Sequence, residues 1–425
     1  MDRTLDARLA AGEFDETLTR LYGAHHLETA HTRCTTVISG FTKTFESLPE
    51  HLFSAPGRTE LGGNHTDHQH GRVLAGGVDL DILAAVSPNQ SGMIRVQSQG
   101  YPLIVVDLHE LTPKPEEENT SAALIRGVAA RLSALGCPLQ NAGLDAYMIS
   151  DVPGGSGLSS SAAFEVLIGT ILNSLYWDDH CDPVEIAQIG QYAENVFFGK
   201  PCGLMDQTAC SVGGVVAIDF ANTERPTVEK IDLDLTKEGY ALCILDSGAG
   251  HADLTDEYAA ITRELKAVCA LFGKSVLREI PENEFMARLP EVRKACGDRA
   301  ALRAFHVYAE NQRAADEADA VRKGQFDRFL SLVTESGRSS ALYMQNVVPC
   351  GQTANQELLL TIALCERLLA GRGAVRVHGG GFGGTAQAFV PLDLVDSFKA
   401  GAEAVLGAGS CHVVMIRPVG GIRLD

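Results

Sequence analysis

Residues 152–165, Val-Pro-Gly-Gly-Ser-Gly-Leu-Ser-Ser-Ser-Ala-Ala-Phe-Glu, constrain the fold more than any other stretch, because they join two elements of different period. Upstream, Leu144 to Ser150 alternates apolar and polar residues as a strand does; downstream, Ala162, Ala163, Val166, Leu167 and Ile171 recur at helical spacing. A strand, a Gly/Ser loop and a helix are predicted in that order. Gly154, Gly155 and Gly157 let backbone approach a ligand closely and take dihedrals that a side chain forbids. Ser159, Ser160 and Ser161 are expected to supply the helix N-cap. The open N–H groups of the first helical turn and the helix dipole favour an anion there, and phosphate oxygens are the natural one. Neither Gly-x-x-x-x-Gly-Lys-Ser/Thr nor Gly-x-Gly-x-x-Gly fits, and the loop holds no Lys. The cradle is of another kind.

Pro153 to Ala162 resembles the second motif of the GHMP small-molecule kinases. Residues 55–71, Ala-Pro-Gly-Arg-Thr-Glu-Leu-Gly-Gly-Asn-His-Thr-Asp-His-Gln-His-Gly, resemble the galactokinase signature, which usually reads Gly-Arg-x-Asn-Leu-x-Gly-Glu-His-Thr-Asp-Tyr-Asn. Gly203-Leu-Met-Asp-Gln207 is similar to the catalytic-base segment of that family, and His378-Gly-Gly-Gly-Phe-Gly-Gly-Thr385 to its C-terminal Gly-rich loop. The four blocks stand in the family's order and span most of the chain. The resemblance implies a two-domain GHMP kinase fold with the active site in the interdomain cleft, ATP as co-substrate with Mg²⁺, and galactose as the phosphate acceptor.

Length and patterning support this independently. At 425 residues the chain exceeds one ordinary core, so two domains are expected, 1–235 and 236–425. Helical sets open it (Phe14, Leu18, Leu21, Tyr22, then Val37, Ile38, Phe41, Phe45), although nothing in the sequence says what this segment does. Strand-like runs follow at 73–86, 93–97, 103–108 and 215–220; residues 253–369 read mainly as helix, and 373–390 and 411–418 as strands about a Gly-rich turn. An α+β fold results. A formal charge of −19 argues against nucleic acid and anionic membrane as partners, but not against ATP, whose phosphates are held by local dipoles and a few cations. No run of 18 apolar residues occurs, and the acidic N-terminus lacks the order of a signal peptide, so a cytoplasmic protein is expected. The 11 cysteines include no Cys-x-x-Cys and several lie in apolar runs, which points to buried thiols. The sequence sets no oligomeric state and is compatible with a monomer.

Carried over residue by residue, the resemblance implies Asp206 as the base for the sugar hydroxyl and Arg58 as the active-site arginine, whose charge would keep Asp206 ionised. It implies Ser161 and Glu194 as Mg²⁺ ligands, a hydroxyl and a carboxylate being suited to that hard cation. The ATP phosphates fall to Gly154, Gly155, Ser156, Gly157, Leu158, Ser159, Ser160, Ser161 and Ala162. The sugar falls to Asn64, His65, Asp67, Asp206 and Tyr258, polar groups that discriminate because an unmatched hydroxyl leaves them unpaired. His65, His68 and His70 have a spacing that could hold Zn²⁺ or Ni²⁺; a polar sugar loop is the reading adopted. Departures from the family cluster on the sugar side: Asn64 replaces its Glu, Glu60 its Asn and His68 its Tyr, and residues 246–252 lack its Asn-rich run. Two alternatives stay open. One is a kinase for a related sugar such as N-acetylgalactosamine or arabinose; the other is a non-catalytic sugar and ATP sensor, against which the intact Ser160, Ser161 and Ala162 argue.

Overall fold

A computed structural model describes residues 4–154, 157–200, 202–250 and 254–425. Three helices open the chain: α1 (Leu5–Ala10), α2 (Asp15–Tyr22) and α3 (Leu27–Phe45). α3 buries Ala30, Cys34, Val37, Ile38 and Phe41, one face at helical spacing. It packs on a sheet formed by β1 (His51–Gly62), β2 (Arg72–Pro88), β3 (Met93–Ser98), β4 (Ile104–Asp107), β5 (Leu144–Ser150), β6 (Val215–Asp219) and β7 (Thr227–Ile231).

The order is β1-β2-β5-β3-β4, and β2 is long enough, at 17 residues, to pair β5 through Ile82–Pro88 and β6 through Arg72–Gly76. Among the described residues only β3 and β5 run parallel. Along the central strands successive side chains face opposite ways. Leu52, Leu83, Ala85 and Ile149 meet the N-terminal helices; Phe53, Ala84, Val86, Ala146 and Met148 meet the main core with α4 (Ser121–Leu135) and α5 (Ser160–Trp177). Residues 5–45 thus cover the sheet's second face, and each large side chain buried there contributes about 1.5–3 kcal/mol. α6 (Pro183–Ala193) and α7 (Met205–Val212) complete the main layer.

A second, antiparallel sheet contains β8 (Tyr240–Asp246), β9 (Ala374–His378), β10 (Thr385–Pro391) and β11 (Cys411–Val414) in the order β11-β8-β10-β9. Between β8 and β9 run α8 (Thr255–Leu271), α9 (Glu282–Ala287), α10 (Leu289–Cys296), α11 (Asp298–Arg322), α12 (Phe326–Ser339) and α13 (Glu357–Leu369), and α14 (Val395–Leu406) follows β10. Two sheets and two helical layers make an α+β fold. The sheets part after β7, near residue 235, yet the C-terminal tail crosses back: β12 (Ile422–Arg423) pairs with β1, and the buried Arg417 donates to Ser54 Oγ at 2.6 Å and Asp81 Oδ2 at 2.8 Å. Among the described residues no helix is long and apolar enough to cross a membrane.

Candidate active site

β1 and the Gly/Ser loop are sewn together. Arg58 N donates to Leu158 O at 3.0 Å, and its guanidinium donates to Gly157 O. Gly157 takes φ +70 with the side chains of Thr385 and His378 at 3.1 and 3.2 Å from where a Cβ would sit, so the Gly-rich hairpin of the second sheet closes over the loop. Ser159 occupies the N-cap position of α5, but its φ of 56 lies in the left-handed region and its hydroxyl makes no cap bond. It donates instead to Asp206 Oδ2. The expected serine capping is thereby corrected: the hydroxyl is drawn to a carboxylate, a stronger acceptor, and no side chain caps the first turn of α5.

The helix start opens into a cavity of about 930 Å³ lined by Gly154, Ser160 and Ser161, and walled by Tyr101, Pro102, Ile104, Met148, Phe164 and Phe198. That volume suits a nucleotide-sized ligand. Sequence reasoning missed these walls, which come from β4, β5, α5 and loops with no shared local pattern. Leu158 and Ala162 are buried beneath the loop, and Gly155 and Ser156 lie outside the described residues.

Asp206 lies in the first turn of α7, and Arg58 Nε lies 2.7 Å from its Oδ1. Burial opposes the charge on Asp206, but the Arg58 guanidinium beside it and the Ser159 hydroxyl together hold its carboxyl below the usual carboxylate range. An ionised base with one oxygen on each partner results.

Glu194 is buried at the end of α6, 3.5 Å from Ser161 Oγ and 3.5 Å from Lys200 Nζ. Gln207 Nε2 lies 2.9 Å from both Glu194 Oε2 and Glu165 Oε2. Burial and the neighbouring Glu194 push the Glu165 carboxyl well up. The hydroxyl-plus-carboxylate donor set fits Mg²⁺; among the described residues no three His, Cys, Asp or Glu converge on one metal position. Glu165 and Gln207 were missed from sequence, although Glu165 follows Ser161 by four residues and so shares its helix face.

The loop between β1 and β2 carries Asn64, His65 and Asp67, three of the residues expected on the sugar side. His65 Nε2 meets Gly380 O at 2.9 Å, its Nδ1 meets His68 Nε2 at 3.4 Å, and His68 Nδ1 meets Gln69 Nε2 at 3.2 Å. The partners assign one donor and one acceptor to each ring. Burial and His68 push the His65 imidazole down to about 3, so it is neutral. Tyr258 donates to Gly381 O at 2.8 Å, and burial pushes its phenol up to about 12. Asp67 packs against Gly203, where a Cβ would meet its Oδ2 at 2.1 Å; only glycine lets this carboxylate stand beside the Asp206 segment. Arg58 and Asp206 thus touch the phosphate loop, His65 and Tyr258 the Gly-rich hairpin, and Asp67 the segment that carries Asp206.

Asn64 also reaches the hairpin, but as a buried tie within the protein. It is 1% exposed, and its amide is filled by protein: Nδ2 donates to Glu60 Oε1 at 3.0 Å and Gly379 O at 2.8 Å, while Oδ1 accepts from Ser340 Oγ at 3.2 Å and Asn346 Nδ2 at 2.9 Å. The amide has two donors and two lone pairs and all are used, so the expected sugar contact finds no open position on it in this arrangement. Glu60, where the family has Asn, pairs with the buried Arg376.

Residues 39–88 match the galactokinase galactose-binding signature, and residues 123–214 match the GHMP kinases N terminal domain. A galactokinase from Streptomyces coelicolor is 31% identical over 386 residues, covering 88% of this chain and 93% of the relative. The crystal structure of Lactococcus lactis galactokinase complexed with galactose superposes with a TM-score of 0.77 at 26% identity, covering 91% of this chain and 99% of that one. The L. major mevalonate kinase, at 17% identity, 86% and 96% coverage and a TM-score of 0.58, shares the fold. The chain belongs to the galactokinase family, within the GHMP kinases.

Proposed function

We propose that this sugar kinase transfers the γ-phosphoryl group of ATP, taken as its Mg²⁺ complex, to the anomeric hydroxyl of α-galactose, giving galactose 1-phosphate and ADP. The observation that carries the reading is Asp206, held ionised by Arg58 at 2.7 Å and by Ser159 at the mouth of the phosphate loop. Phosphoryl transfer asks mainly for a positioned acceptor and neutralised oxygens. Asp206 receives the acceptor's proton, Asp67 and Tyr258 orient the sugar, and the open N–H groups at the start of α5 hold phosphate oxygens. Arg58 offsets charge on the transferred group. Ser161 and Glu194 would hold Mg²⁺, which neutralises phosphate charge when bound. The enzyme works in the cytoplasm on small molecules, with no nucleic acid or membrane partner.

A kinase for a related sugar is the second reading, favoured by Asn64, which stands where the family has Glu and whose amide is spent on protein. ATP-dependent phosphorylation by purified protein across galactose, N-acetylgalactosamine, arabinose and glucose, with the product's phosphate position assigned by NMR, tests both. The first reading expects galactose 1-phosphate to form fastest. No turnover of any sugar would leave a binding protein.

A further inference from the structure

Arg33 lies on α3, before both matched segments begin, and its guanidinium joins two carboxylates in different surroundings. Nη2 reaches Asp81 Oδ1 at 2.6 Å, and Nε forms an ion pair with Asp151 Oδ2 at 2.8 Å. Asp81 is fully buried and held as well by Arg417 at 2.8 Å, Tyr22 at 2.5 Å and Ser54. It is a fixed point. Asp151, by contrast, is half-exposed and begins the chain's exit from β5: Ser150, Val152 and Gly154 on either side of it line the nucleotide cavity. Backbone joins the same two places, Asp151 N donating to Asp81 O at 2.9 Å.

We propose that Arg33 is a positioning residue for the phosphate loop, anchoring the first residues after β5 to the buried Asp81 cluster so that Val152 to Gly154 keep their place beside the start of α5. The N-terminal helices thereby serve nucleotide binding as well as covering the sheet. The proposal rests on residues 154–162 being the ATP phosphate site. A rival effect exists, because Arg33 also neutralises a carboxylate close to where a polyphosphate would bind. The two effects differ in sign at Asp151: loss of anchoring weakens ATP binding, whereas loss of a negative charge strengthens it.

Steady-state kinetics on the full chain separate them, using Asp151→Asn, Arg33→Ala, the double variant and Ser160→Glu. Positioning expects Asp151→Asn and Arg33→Ala each to raise KM for MgATP about two- to fivefold, the range of a partly exposed ion pair, with KM for the sugar unchanged and the double variant no worse than the worse single. A KM for MgATP that is unchanged or lowered in Asp151→Asn overturns the proposal. Equal shifts in both substrates' KM, or additive shifts in the double variant, overturn it too. Because the Asp151 side chain is 49% exposed, its variant decides the matter even if Arg33→Ala fails to fold. Ser160→Glu puts an anion at the helix start: if it leaves KM for MgATP unchanged, the phosphate-site reading itself fails. If it raises KM while Asp151→Asn does not, only the anchoring role fails.

Discussion

Asn64→Ala separates a structural amide from a sugar ligand. The substitution removes four hydrogen bonds from a site that is 1% exposed. Two partners keep other bonds, since Glu60 Oε1 also holds Arg376 and Asn346 Nδ2 also reaches Gly380 O at 3.1 Å. Gly379 O and Ser340 Oγ are left facing a methyl group. Each unsatisfied buried group costs about 1–3 kcal/mol, and a water entering the vacated amide volume recovers part of that. The expected loss of stability is therefore about 2–4 kcal/mol. Denaturant unfolding followed by circular dichroism reads it, beside kcat and KM for galactose at a temperature where the variant stays folded. Stability should fall while KM changes less than about threefold, under 1 kcal/mol. An unfolding midpoint equal to wild type, with KM for galactose raised tenfold or more, would refute the reasoning and make Asn64 a ligand.

Asp206→Asn should lower kcat by about 10²- to 10⁴-fold, the usual share of a general base, with MgATP affinity measured by calorimetry nearly unchanged; more than half of wild-type kcat would remove Asp206 from that role. Gly203→Ala drives a Cβ to within 2.1 Å of Asp67 Oδ2, so Asp67 must move and KM for the sugar should rise with KM for ATP unaltered; equal effects on both would show that Asp67 does not serve the sugar. His65 titrates near 3 in the fold against an ordinary 6.5, so between these values the unfolded chain holds a proton that the native state lacks, and stability falls as pH drops through that window. His65→Gln, which keeps a donor and an acceptor without titrating, should flatten the stability profile from pH 6.5 to 4, and an unaltered slope would count against the neutral relay.

Chain neighbours that are also neighbours in space made part of this protein legible from sequence. β5, the Gly/Ser loop and α5 are consecutive, so an anion site could be read from residues 152–165, and the strands at 72–88, 93–98, 104–107 and 215–219 fell within two residues of their predicted bounds. Periodicity carried those elements because one buried face repeats every two or 3.6 residues. β12, two residues long, has no period to read, and it forms only because the tail returns to β1. The site divides the same way. Which residue types could serve phosphate, base and sugar was visible in the motifs; which hydrogen-bonding positions remained for a ligand was not. Ser159 could have capped its own helix, and Asp206, 47 residues away, decided otherwise. Asn64 looks like a sugar ligand until Ser340, Asn346 and Gly379, between 276 and 315 residues distant, fill its amide. A polar side chain has a small, fixed number of donors and lone pairs. Sequence names that number, and only the folded chain determines which partners use it.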